Sequence, residues 1–194
     1  ALRASQRVID QDYPWDLSNP QGAPLPKLDP DGWPLGLAPG QVASALVFHG
    51  IDGHYPAGRY LVRFSGQGTV LAIFDAETTR YEHDGRGTAE FAVEVTPSNE
   101  GIALRIVRSK AGNHVRDLQL ITPGSSEASR FHPTCVGRLQ PYRVVRFMDW
   151  GHTNDATVTS WEQRTRPTAR TQDGTSGVAY EHMLALAQEL VADP

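Results

Sequence analysis

Between residues 42 and 121 the chain repeats one pattern six times, and that pattern leaves little room for helices. VASALVF (42–48), RYLVRFSG (59–66), TVLAIF (69–74), TAEFAVEV (88–95), IALRIV (102–107) and HVRDLQLI (114–121) are short runs rich in β-branched and aromatic residues. Between them stand IDGHYPAG, GQG, EHDGRG, PSNEG and SKAGN, each with the Gly, Asn, Asp or Pro of a tight connection. A side-chain period of two fits one buried face of a strand and does not fit a helix. The spacing predicts a mostly β chain built on an antiparallel β-sandwich, jelly-roll-like, over residues 41–124. It also predicts a hairpin at FSGQGT (64–69), where Gly66 and Gly68 flank a single residue.

The flanks differ. Residues 12–40 hold Pro14, Pro20, Pro24, Pro26, Pro30, Pro34 and Pro39, which disfavour both helix and continuous ladder pairing. Residues 1–40 therefore read as a proline-rich extended wrap, with Trp15 and Trp33 as its apolar anchors. After Pro123-Gly124 the composition shifts again. Residues 131–139 read as irregular or briefly helical, and YRVVRFM (142–148) as a buried parallel strand. A polar stretch leads to GVAYEHMLALAQELVADP, where Val178, Met183, Leu184, Leu186, Ala187, Leu190 and Val191 fall near helical spacing. Strand, loop and helix make half of a βαβ unit over residues 125–194. Its second strand would begin at Asp193-Pro194, so the expectation is the N-terminal part of a longer chain, or a helix packed on the sandwich in another way.

With 39% hydrophobic residues among 194, the chain has enough apolar mass for a sizeable core. A formal net charge of -4 without long like-sign runs speaks against nucleic acid and anionic membrane as partners. Cys135 stands alone, which excludes an internal disulfide framework and a multi-cysteine zinc site, and predicts a buried free thiol. No run approaches the roughly 18 apolar residues of a membrane span. No leader-like segment opens the sequence, so the protein is either cytoplasmic or numbered from a removed signal peptide.

Six stretches carry a family likeness: LDPDGWPL (28–35), GRYLVRFSGQGT (58–69), HVRDLQLITPG (114–124), RFMDWGHTN (146–154), WEQR (161–164) and GVAYEHMLALAQELVADP (177–194). Together they resemble a group of large secreted bacterial proteins, of the kind labelled cellulose-binding domain proteins. In these a β-sandwich precedes a glycoside-hydrolase-like (β/α)8 barrel. The likeness spans nearly the whole chain and is most specific at RFMDW and GVAYE. It implies a secreted protein with a polysaccharide or oligosaccharide partner, an accessory sandwich, and a C-terminal strand-loop-helix resembling the first βα unit of the barrel. Barrel enzymes place their functional residues at the carboxyl ends of strands. Here Asp149, Trp150 and Asn154 follow the first such strand, and Trp161 and Arg164 lie in the loop beyond. The acid/base and nucleophile of such a clan sit on later strands, outside these residues, so hydrolysis is not expected of this stretch alone. Two alternatives stand beside this reading: a non-catalytic carbohydrate-binding module, and an extracellular structural or assembly protein that packs with copies of itself.

Each candidate also has an ordinary reading. Trp150 offers an aromatic face to a sugar ring and Asp149 and Asn154 offer polar groups to its hydroxyls, yet an aspartate capping a turn beside a packed tryptophan looks the same in sequence. Trp161 and Arg164, at i and i+3, stack readily without any ligand. Glu181 falls in the first turn of the last helix, where the helix dipole favours a carboxylate. As a catalytic pair, Asp149 and Glu181 would need to lie about 5 to 9.5 Å apart across one bond. His49, His54, His83, His114, His132, His152 and His182 show no metal-ligand spacing. No cofactor is expected beyond a structural calcium, for which Asp52, Asp75, Glu77 and Asp84 supply oxygens in turns. Gly66-Gln67-Gly68 precedes no helix and is not a phosphate cradle.

Overall fold

A computed structural model describes the backbone of residues 5–8 and, in full, residues 15–20, 23–125, 131–154, 156–172 and 174–194. The chain is mostly β and divides into two compact units, Ala1–Pro123 and Gly124–Pro194.

The first unit holds β1 (Ser5–Val8), β2 (Asp16–Pro20), β3 (Val42–Val47), β4 (Gly58–Phe74), β5 (Thr79–Val95), β6 (Ile102–Ser109) and β7 (Arg116–Ile121). They form one antiparallel sheet in the order β1-β2-β3-β6-β4-β5, and β7 pairs with the opening half of β4. β4 and β5 pair along nearly their whole length, from Gly58 opposite Val95 to Ala72 opposite Thr79. The expected hairpin at residues 64–69 is therefore not a reversal but a bend within β4. The ladder passes from Ser65–Thr88 directly to Gln67–Asp84, so Gly66 stands against Gly85, Arg86 and Gly87 in a wide bulge. Gly66, Gly85 and Gly87 all have φ above +70°. Positive φ serves a bend as well as a turn, and here it doubles the whole ribbon over.

The doubling closes on itself. Glu77 N–H donates to Glu94 O at 2.7 Å and Thr96 N–H donates to Asp75 O at 2.9 Å, so the ribbon's tip bonds to the tail of its own second strand. Tyr60, Val62 and Phe64 from one half, Val70 and Ala72 from the other, and Phe91, Val93, Ile102, Leu104 and Ile106 fill the core between them. Alternation marks most of the sheet: β3 buries Ala43 between the less buried Val42 and Ser44, and β6 buries Ile102, Leu104 and Ile106, with the small Ala103 buried between them.

The prolines do not prevent ladder pairing altogether, because Asp16–Pro20 pairs with β3. Its Pro20 is the last residue of the strand, where a missing N–H does least harm. Trp15 and Trp33 are both buried as anchors, with ring centroids 5.7 Å apart, and Trp15 Nε1 donates to Gly32 O at 2.8 Å. Asp29 accepts from the N–H groups of Asp31 and Trp33 and lies 2.9 Å from His114 Nε2, which joins the extended segment to the residues before β7.

The second unit contains α1 (Pro133–Leu139), one 3-10 turn over Trp161–Gln163, and α2 (Tyr180–Leu190). α2 buries Met183, Leu186, Ala187 and Leu190, while Leu184 and Val191 are exposed. YRVVRFM is not the buried strand expected. It makes a single parallel bridge, Val144 to Asp193, with Val145 N–H donating to Asp193 O and Asp193 N–H to Arg143 O. Tyr142 and Val144 are exposed, since no strand among the described residues covers the other edge. Cys135 is likewise exposed and free, because α1 buries none of its residues.

Among the described residues no helix is long and apolar enough to cross a membrane.

Candidate functional site

The second unit gathers its sequence candidates into two groups. The first lies just after the Val144 bridge. Gly151 N–H donates to Phe147 O at 3.0 Å and Thr153 donates to Met148 O through both its N–H and its hydroxyl, which winds residues 147–153 into a tight turn. His152 takes φ +46° inside it. Asp149 and Asn154 are exposed on this turn. Trp150 tilts against Phe147 with centroids 5.5 Å apart and keeps 38% of its surface exposed.

The second group comes together at the start of α2. The Arg164 guanidinium lies 3.8 Å from the centroid of the Trp161 ring and donates from Nη2 to Glu181 Oε1 at 2.7 Å. Trp161 in turn stacks on Tyr180, centroids 6.2 Å apart and 19° between planes. Both rings are open to solvent, Trp161 at 60% and Tyr180 at 42%. Arg164 Nε and Glu181 Oε2 are buried without hydrogen-bond partners among the described residues. Hydrogen bonding from Arg164 holds the Glu181 carboxyl below the usual carboxylate range, aided by its place in the helix's first turn.

Among the described residues, backbone contacts link the two groups. Val178 N–H donates to Trp150 O at 2.7 Å, and a Cβ at Gly177 would come within 2.5 Å of that same oxygen. Gly177, at φ +73°, is what lets the polar loop close against the turn. Sequence reasoning paired Trp161 with Arg164 but missed Tyr180, although it directly precedes Glu181 in the GVAYE stretch. An aromatic at the first position of an amphipathic helix was the available signal.

The calcium candidates lie in the first unit. Asp75 accepts from the Tyr55 hydroxyl, the Ser98 N–H and hydroxyl and the Gly101 N–H, so protein donors occupy both of its oxygens. Asp84 accepts from Arg86 N–H at the β5 bulge, and Asp52 and Glu77 stand exposed in separate turns. Among the described residues no three His, Cys, Asp or Glu side chains converge as a metal site.

Compared with known proteins, the chain matches no family model, no curated protein and no solved structure.

Proposed function

We propose that this chain belongs to a secreted carbohydrate-active protein of glycoside-hydrolase-like kind, and that its second unit supplies one wall of a glycan-binding site. In this reading the closed ribbon of the first unit is an accessory β-sandwich of jelly-roll type. The parallel bridge between Val144 and Asp193, on either side of α2, is the opening of a βα barrel. The observation that carries the binding role is the solvent-open Trp161–Tyr180 pair beside the Arg164–Glu181 ion pair. Aromatic faces take the apolar face of a sugar ring, and a fixed donor and acceptor take its hydroxyls.

Glu181 does not suit the part of a glycosidase's acid. A glycosidase acid must hold its proton near neutral pH, which calls for a raised carboxyl pKa. Arg164 pushes Glu181 the other way. The test is retention on insoluble cellulose and on soluble polysaccharides. Trp161→Ala and Trp150→Ala should each weaken retention while leaving the circular dichroism spectrum unchanged. A wild-type chain that retains no glycan would end this reading.

A further inference from the structure

The outer face of the first unit's sheet carries a groove of about 610 Å³ that none of the sequence candidates touches. It falls in the usual size range of small-molecule sites, about 300–1,000 Å³. One row crosses it: Asp16 on β2 stands opposite Ser44 on β3, which stands opposite Arg105 on β6. Leu46 and Phe74 add apolar walls.

Phe74 is the informative residue. Along β4 the core positions run Tyr60, Val62, Phe64, then Val70 and Ala72, so the same alternation would bury Phe74. Instead it adopts φ +72°, turns to the outer face with half its surface exposed, and lies 5.6 Å from the Arg105 guanidinium. A left-handed backbone at a bulky residue is costly, and so is an exposed aromatic ring; neither helps the core. Arg105 Nε is buried and has no hydrogen-bond partner among the described residues. A ring held open beside a guanidinium, next to serine hydroxyls and an aspartate, describes a surface for a molecule with both apolar faces and hydroxyls.

We propose that this groove is a second glycan site, taking an uncharged oligosaccharide whose ring packs on Phe74 while Arg105 and Ser44 bond its hydroxyls. The ligand class rests on the function proposed above; the location rests on the groove alone. An anion is disfavoured, because Asp16 and Glu100 line the groove with Arg105 and His49 and leave no excess of positive charge.

The test is calorimetric titration of the full chain with cellohexaose, xylohexaose and mannohexaose, with tryptophan emission followed in parallel. The groove holds no tryptophan among its lining residues, whereas the second unit exposes Trp150 and Trp161. The expected result is saturable heat with one hexasaccharide, and a Kd raised about tenfold or more by Phe74→Ala and by Arg105→Ala but unchanged by Trp161→Ala. Phe74 and Arg105 face outward, and thermal melts check that both variants fold. Binding abolished by Trp161→Ala and indifferent to both groove variants would overturn the groove and leave the second-unit site standing. No heat with any of the three would overturn the groove, while retention on insoluble polysaccharide would still decide the other site.

Discussion

Tyr81 and Phe91 sit on the same strand, β5, and yet their rings stack with centroids 5.1 Å apart and 4° between planes. Extended strand between them would span about 33 Å at about 3.3 Å per residue. The contact exists because β4 and β5 fold over together at the Gly66 bulge.

That bend predicts unequal glycines. A Cβ on Gly66 would lie 1.9 Å from His114 O, a backbone atom with nowhere to go, and its φ is +91°. Gly66→Ala should lose on the order of 3 kcal/mol in urea unfolding. Gly87, at φ +71°, has nothing within 4 Å of a built Cβ. Gly87→Ala should lose only about 1–2 kcal/mol, the backbone term alone. Equal losses would mean the close approach to His114 is not what fixes the bend.

Acid should loosen the first unit. Burial works to raise the Asp29 carboxyl, but bonds from Trp33 N–H, His114 and Asp31 N–H outweigh it and hold it below the ordinary aspartate range. Burial likewise works to raise Asp75, and the bonds from Ser98, Tyr55 and Gly101 bring it below that range. Between the lowered folded value and the unfolded value, near 3.9, the unfolded chain binds more protons. The stabilisation is thus present above about pH 4 and is lost as pH falls through the folded values. Urea midpoints from pH 6 to pH 2.5 should drop in that window, and Asp29→Asn should make the drop shallower.

Tyr55→Phe removes one of the donors that satisfy buried Asp75. The variant should lose about 1–2 kcal/mol, the scale of a charge-assisted bond to a buried carboxylate. Burial and the bond to Asp75 push the Tyr55 hydroxyl well above the normal tyrosine range. Burial pushes the Tyr60 hydroxyl up as well, so alkaline difference spectra at pH 11 should show fewer ionised tyrosines in wild type than in the unfolded chain, and Tyr55→Phe should narrow that gap.

Cys135, exposed and unpaired, should react with Ellman's reagent in the native state to the same extent as in guanidinium chloride. A thiol that reacts only after unfolding would contradict the position of α1.

Much of the first unit was legible because period-two alternation survives wherever one face is buried. β3, β6 and β7 fall within the runs that the alternation marks at 42–48, 102–107 and 114–121, give or take two residues. What was not legible is the work done by glycine. Gly66 and Gly85 permit positive φ, and the sequence does not say whether the chain reverses there or bends and continues. Phe74 shows the same limit, since alternation assigns it inward and one left-handed residue sends it out. In the second unit, Trp161 and Arg164 were paired by spacing, whereas Glu181 joined them through a contact that spans the polar loop. Tyr142 and Val144 read as core by composition alone, and composition carries no information about whether a neighbouring strand is present to cover them.

The closed ribbon has a kinetic consequence. Its tip, its bend and its tail all lie between residues 58 and 96, so the contacts that shape it are close in sequence. Short loops cost little entropy to close, and the ladder can zip from the tip before any distant strand arrives. β2 and β3 reach the sheet from earlier in the chain and β6 and β7 from later, and each then docks on an edge already in place. Order of assembly, in this molecule, is written into the hairpin that folds in half.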